Sequence, residues 1–351
     1  MSVLPARGWL VTSKSVDGKG KAMLLLNRED IGRCVELPTL VRALEKAHQG
    51  FALSPPVVPQ RSIITHERQK AFSLFMPAFL PGSQTLGIKV SSFHPGNAVH
   101  GLSAVNGAVL LIDIVSGQLL AMLDSAALTA IRTSAMSALA TDKLCLRIRL
   151  DLAVIGAGAQ AAAHIKAMAA IRDLGQIRIF SRCLARSVAL AERLSIELSL
   201  PVEAVNRMEE ALADADIVCT TTSHDSPLPL IGANQLKPDA HINAIGGSTP
   251  QACEIDPRLL GNARVHVDHP GAACRESGEI AQALALAVID RKDIQEIGAL
   301  AIEQPSPATR KQGLSYFRSV GHASQDMVVA ACLYDAAVSG HIGKQCHYLS
   351  A

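Results

Sequence analysis

The sequence predicts an α/β chain of two domains, one a doubly wound parallel sheet and the other a mixed α+β unit. Three observations predict it. At 351 residues the chain is about twice the roughly 150 residues of an ordinary domain. From about residue 144 onward, apolar strand runs alternate with helix patterns, which implies a parallel sheet with helices on both faces. Before that, short apolar runs are broken by Pro55-Pro56, Pro59, Pro77, Pro81-Gly82, Pro95-Gly96 and Gly117, the rhythm of an antiparallel sheet. Hydrophobic residues at 49% against charged residues at 18% supply a sizeable core, so a disordered or collagen-like chain is excluded.

Taken in order, residues 1–22 read as a polar leader, because Lys14, Asp17, Lys19 and Lys21 fill the place of a signal peptide's apolar core. Met23 opens the first apolar run and is a candidate translation start. A helix is expected from Leu37 to Leu53, then the antiparallel sheet to Gly117. The Ala- and Ser-rich segment from Asp124 to Leu144 has the period of a tightly packed helix. Strands are expected at 152–156, 177–180, 217–222 and 241–246, with helices at Gln160 to Leu174 and Leu184 to Leu198 between them. A last apolar helix runs from Ser324 to Gly340. This places a mixed α+β domain at 23–143, a doubly wound domain at 144–318, and a return of 319–351 to complete the first.

Composition also narrows the partners. Lys plus Arg at 33 against Asp plus Glu at 31 leaves +2 with no basic run, so neither nucleic acid nor an anionic membrane is expected. Asp113 and Asp124 interrupt the richest apolar stretch, and Ile280 to Ile289 falls short of the roughly 18 residues a spanning helix requires. The eight cysteines form no C-x-x-C pair, which suits a reduced, cytoplasmic protein. Small-molecule chemistry is the remaining default.

The sharpest motif is Gly156-Ala157-Gly158-Ala159-Gln160-Ala161, a G-x-G-x-x-A turn after an apolar strand and before a helix. Gly156 permits the tight turn, Gly158 lets backbone approach a pyrophosphate, and Ala161 allows close helix packing. The free N–H groups of the helix start then face the phosphates, as in a Rossmann dinucleotide-binding domain. After the second strand an acid would bond the adenosine ribose, but the sequence has Ser181-Arg182. A hydroxyl and a guanidinium suit a 2′-phosphate, so NADPH is expected, with NADH as the alternative.

A second constellation lies on the long helix, where Thr129, Arg132 and Thr133 share one face. An arginine among Ala, Thr and Ser there needs an anion, and both a substrate carboxylate and Asp124 qualify. His266-Val267-Asp268-His269 lacks a third ligand at metal spacing and reads as a loop at a strand end, so no metal is expected. His94 and His100 lie near Lys89 and either edge a pocket or belong to a surface loop; His322 follows Gly321. No cysteine has a base beside it in sequence, so a thiol nucleophile is not supported.

LTAIRTSAMSALA, followed by VIGAGAQAAAHIKAM, IFSR and HINAIGGSTP, resembles the ornithine cyclodeaminase and mu-crystallin family. Shorter stretches agree, among them Pro59-Gln60-Arg61, Gly87-Ile88-Lys89, Glu276-Ser277-Gly278-Glu279 and Gln325-Asp326, and the likeness spans nearly everything after residue 22. The resemblance implies that Arg61, Lys89 and Arg132 hold a substrate carboxylate, two guanidiniums and an ammonium suiting that anion. It further implies that Thr133, Gly156, Gly158, Ala159, Gln160, Ser181, Arg182, Thr221, Thr222, Ser223, Ile245, Gly246, Ser319 and Val320 meet the dinucleotide. The first domain then becomes a substrate-binding and dimerisation domain, and the protein a homodimer.

One departure selects within the family. Cyclodeaminases resemble G-G-D-C-P after the paired glycines, whereas here Gly246-Gly247-Ser248-Thr249-Pro250 puts a serine where the carboxylate would stand. Ser248 cannot take a proton from an ammonium as a carboxylate would, which favours reduction of a cyclic imine. The expected activity is NADPH-dependent reduction of Δ1-pyrroline-2-carboxylate to L-proline and of Δ1-piperideine-2-carboxylate to L-pipecolate, with Lys89, Arg132 and Ser248 nearest the chemistry. The alternatives are an alanine-dehydrogenase-like or opine-like imine reductase, an ornithine cyclodeaminase, and a non-catalytic NADP-dependent binding protein of mu-crystallin type.

Overall fold

A computed structural model of the chain describes residues 22–145, 149–247, 249–302 and 313–347, so the expected leader through Lys21 and the expected site residue Ser248 lie outside the described residues. In chain order the elements begin with β1 (Met23–Leu26), α1 (Arg28–Cys34), α2 (Leu37–Phe51), β2 (Ser62–His66), β3 (Ala71–Leu80), β4 (Thr85–Phe93), β5 (Val105–Ile112), β6 (Leu119–Asp124) and α3 (Ser125–Leu144). There follow β7 (Arg149–Ile155), α4 (Ala159–Ile171), β8 (Asp173–Phe180), α5 (Leu184–Leu198), β9 (Val202–Ala204), α6 (Met208–Leu212), β10 (Ile217–Thr220), β11 (His241–Ala244) and β12 (Arg264–Val267). The last are α7 (Pro270–Glu276), α8 (Gly278–Ala285), β13 (Ile294–Glu296), α9 (Ile297–Ile302), β14 (Ser315–Arg318), α10 (Ala323–Gly340) and β15 (Lys344–Cys346). Two compact units result, one of residues through Arg132 plus Ala323 onward, the other Thr133–His322. The division therefore falls inside α3, at Arg132, rather than at the helix end near residue 143 that composition suggests.

In the first unit a seven-stranded sheet runs in the order β15-β1-β6-β5-β4-β3-β2. Its β2 to β6 meander is antiparallel, with Met76 opposite Lys89, Lys89 opposite Val109, and Val109 opposite Leu123. The β1–β6 pair is parallel, a departure from the antiparallel expectation: the chain leaves β1 through α1 and α2 and returns to it only after the meander. Along β4 the side chains alternate, with Thr85, Lys89 and Ser91 buried and Leu86, Ile88 and Val90 only half-buried. The buried face lies under α10, whose Met327, Ala330, Leu333 and Ala337 recur at helical spacing. Asn27 starts α1 with a capping box, accepting from the amides of Glu29 and Asp30 while Asp30 reaches back.

In the second unit eight strands lie in the order β13-β12-β14-β11-β10-β7-β8-β9, all paired parallel. The order reverses between β7 and β10, the switch point at whose carboxyl edge such sheets take ligands. The β8 strand starts at Asp173, four residues before the expected position, and ends the preceding helix at Ile171. Gly175 allows this, since a Cβ there would strike the Asp151 carboxylate. From Thr133 onward α3 is slim: Ala135, Ala138 and Ala140 are fully buried, and Ser137 Oγ lies 3.0 Å from His164 Nε2 of α4. Burial without a partner charge holds the His164 imidazole neutral, pushed down to about 4. No helix among the described residues is long and apolar enough to cross a membrane.

Gly87, between the buried positions 85 and 89 of β4, has room for nothing larger: a methyl there would strike the Leu110 carbonyl oxygen and come within 2.6 Å of Met327 Sδ. Gly87→Ala should lower unfolding stability by about 1–3 kcal/mol, measured by urea denaturation of the folded protein.

Candidate active site

Lys89 and Arg132 come together in the first unit on a carboxylate that sequence spacing cannot reveal. Lys89 Nζ is 2.7 Å from Asp326 Oδ2, and Arg132 Nε donates to Asp326 Oδ1 at 3.1 Å. Asp326, in the first turn of α10, is fully buried, and both cations are nearly so. Asp124 is engaged elsewhere, accepting from the Ala127 amide at 2.7 Å as the cap of α3. Arg61, just before β2, is half-buried and close enough to act electrostatically on Lys89.

These neighbours set the ammonium's acidity. Burial pushes Lys89 down, Asp326 opposes that, and Arg132 and Arg61 add to the depression, leaving a pKa of about 8. At neutral pH the group is mostly charged yet can release a proton far more readily than an exposed lysine. Lys89 and Arg132 against the one carboxylate of Asp326 leave these three groups with a surplus of one positive charge.

In the second unit the expected glycine turn is formed as its sequence requires. Gly156 has φ +119°, and a Cβ on it would lie 2.6 Å from Thr221 Oγ1 and 2.7 Å from Thr221 O. Gly158 faces open space and is the N-cap of α4 with no side chain bonded to the helix start. Gln160, in the first turn, has a buried Oε1 without a partner. A phosphate-bearing dinucleotide fits this cradle: helix-start amides and room at Gly158 suit the phosphates, and the orphaned Gln160 Oε1, an acceptor, suits a hydroxyl rather than a phosphate.

The other expected dinucleotide residues divide by what their side chains do. Ser181 bonds the Cys183 carbonyl at 2.9 Å and Ser187 Oγ at 2.7 Å, while Arg182 is exposed beside it. Thr221 Oγ1 donates to Ile155 O, and Thr222 is held through both its amide and its hydroxyl by Glu254 Oε1. Thr133 and Ser319 are buried, whereas Ser223, Ile245, Gly246 and Val320 are half-buried or exposed around the strand ends. Sequence reasoning assigns no role to three acids that the structure brings into play: Asp326, Glu254 and Asp268. Asp268 accepts from the Val320 and Gly321 amides at 3.2 and 2.7 Å, which gives the His-Val-Asp-His segment its purpose. His269 caps α7 and stacks on His322 at 4.6 Å, and no cluster among the described residues could hold a metal ion. His94 stacks on His66 at 5.8 Å.

A family model of the ornithine cyclodeaminase/mu-crystallin family matches residues 21–341. The chain belongs to that family. It is 31% identical over 305 residues to the ketimine reductase mu-crystallin of Rattus norvegicus, covering 86% of this chain and 93% of that one. With a Δ1-pyrroline-2-carboxylate reductase of Bacillus cereus it shares 29% identity over 328 residues, 93% of this chain and all of the other. The structure of Thermococcus litoralis Δ1-pyrroline-2-carboxylate reductase in complex with NADH and L-proline superposes with a TM-score of 0.84 at 28% identity, covering 92% and 99% of the two chains.

For this family member the Asp326 carboxylate is what makes the burial of Lys89 and Arg132 tolerable. Replacing it with a neutral amide leaves two buried cations facing each other. Asp326→Asn should therefore lose about 3–5 kcal/mol of stability, read from denaturant midpoints at pH 7.

Proposed function

We propose that the protein is an NADPH-dependent reductase of cyclic ketimines, converting Δ1-pyrroline-2-carboxylate to L-proline and Δ1-piperideine-2-carboxylate to L-pipecolate. The observation that carries this reading is the convergence of Lys89 and Arg132 on Asp326, with Arg61 near, which leaves net positive charge for one small carboxylate. Family membership and relatives that reduce C=N bonds supply the reaction class.

The reduced nicotinamide, when bound, supplies the hydride. Arg132 and Arg61 hold the substrate carboxylate and so fix the ring's orientation. Lys89, at about 8, keeps the imine nitrogen protonated or gives it a proton, and Asp326 keeps the ammonium charged long enough to do so. Ser248, outside the described residues, is assigned no more than a polar neighbour of that nitrogen. The preference for the 2′-phosphorylated cofactor rests on Arg182, exposed after β8 with Ser181 and no acid in the turn.

A homodimer is proposed as well. The sheet face opposite Lys89 carries Leu25, Leu86, Ile88, Val90, Leu110 and Met122, apolar and at most half-buried, with Met122 at 38% exposure. Such a continuous apolar face suits a second copy. Met122→Glu should shift the protein from dimer to monomer in sedimentation velocity.

A substrate panel tests the reaction. Pure protein with either imine should consume NADPH, more efficiently than NADH, with no external amine. Because the protonated Lys89 is the active form, kcat/KM should fall as pH rises through about 8. No turnover of either imine overturns the reading; turnover that requires ammonia replaces it with an amine-dependent reductase.

A further inference from the structure

Three loops leave the carboxyl ends of adjacent strands in the second unit: Thr220–Thr222 at the end of β10, Gly246–Gly247 after β11, and Ser319–Gly321 after β14. A single set of buried charges grips all of them. Arg318, the last residue of β14 and 1% exposed, donates from Nη1 to Gly246 O at 2.6 Å and from Nη2 to Gly247 O at 2.5 Å. Glu254 lies 4.0 Å from the same guanidinium and accepts from Thr220 Oγ1 at 2.6 Å, from the Thr222 amide at 3.1 Å and from Thr222 Oγ1 at 2.5 Å. Glu279, 3.8 Å from Arg318, accepts from the Glu254 amide at 2.9 Å and from Ser277 Oγ at 2.8 Å. Asp268 also acts on Arg318 and ties down Ser319, Val320 and Gly321.

A well-packed apolar cluster would stabilise this region at least as well as buried charges do, so stability alone does not account for the network. Its hydrogen bonds go to loop backbone and loop hydroxyls, and the fit is close: a Cβ on Gly246 would strike both Glu254 Oε1 and the Thr222 carbonyl. The arrangement locks the mutual register of loops on strands β10, β11 and β14, with no slack at the turn between them. The glycine turn follows β7 and Ser181-Arg182 follows β8; Thr221 touches the start of that turn through Ile155 O and Gly156, while the bonds of Arg318, Glu254 and Glu279 end on the loops of β10 and β11 and on α8's start.

We propose that Arg318, with Glu254 and Glu279, is a positioning residue for the nicotinamide half of the dinucleotide. This rests on the cofactor reading above. The network sets the three loops as one rim, so its loss weakens the grip on the nicotinamide end far more than on the adenosine end, which Gly158, Ser181 and Arg182 hold and which meets the network only through Thr221.

The test compares wild type, Arg318→Met and Arg318→Lys for two ligands: NADPH, followed by its own fluorescence, and adenosine 2′,5′-bisphosphate, which lacks the nicotinamide half, followed by calorimetry. Arg318→Met should weaken NADPH binding more than tenfold and change adenosine bisphosphate binding less than twofold; Arg318→Lys, with one donor nitrogen where two reach Gly246 O and Gly247 O, should fall between. Should the Met variant fail to fold, Glu254→Gln, which keeps the shape and removes the charge, should show the same split. Equal weakening of both ligands, or no weakening of either, overturns the inference. If wild type binds adenosine bisphosphate and NADPH normally and only turnover fails, the reductase reading falls and this one stands; if it binds neither ligand, both fall.

Discussion

One carboxylate governs the electrostatics of the first unit. Without Asp326, Lys89 and Arg132 would be two cations facing each other out of water, a placement that proteins avoid because neither charge recovers its hydration. With it, they are held at fixed positions and still carry more positive charge than the resident anion neutralises. The consequences spread outward. Asp326 sits on α10, so the last helix must lie on β3 and β4, and Gly87 must be a glycine to let it lie there; the opposite side of β4, with Leu86, Ile88 and Val90, stays apolar and half-buried.

The second unit obeys a different constraint, the closeness of backbone at a switch point. Gly156 is pressed against Thr221, Gly246 against Thr222 and Glu254, so the ends of three neighbouring strands, β7, β10 and β11, approach with no room for a Cβ at either glycine. Polar groups buried by that approach must be satisfied, and Glu254, Asp268 and Arg318 satisfy them. The polar core of this unit is thus the counterpart of its glycines: the tighter the loops, the more amides and carbonyls need an internal partner.

Much of this was legible in sequence where the signal is local. Gly156, Gly158 and the following helix state their geometry within six residues, and the period of α3, α5 and α10 brought their ends within a residue or two of the observed ones. What stayed hidden is long-range. Arg132 and Asp326 are 194 positions apart, and the spacing around Arg132 offered Asp124, which instead caps its own helix. Glu254 stands two residues before Asp256 in a loop-like stretch and Arg318 ends a buried strand, so neither announces a partner. The parallel β1–β6 pair escaped for the same reason, since strand direction across a long connection leaves no mark on either strand. The resemblance of Gln325-Asp326 to family sequence was the one available pointer to Asp326.

The central claim is that the Lys89 ammonium lies in a dry, cation-rich site balanced by Asp326 and open to one more carboxylate. A nitrogen-15 NMR titration of Lys89 Nζ in the whole protein tests it most directly, read with and without a saturating planar cyclic carboxylate such as pyrrole-2-carboxylate. The expected result is a midpoint of about 8 in the free protein, moving upward when the carboxylate binds. A midpoint at the ordinary lysine value of about 10.4, unmoved by the ligand, would contradict the account.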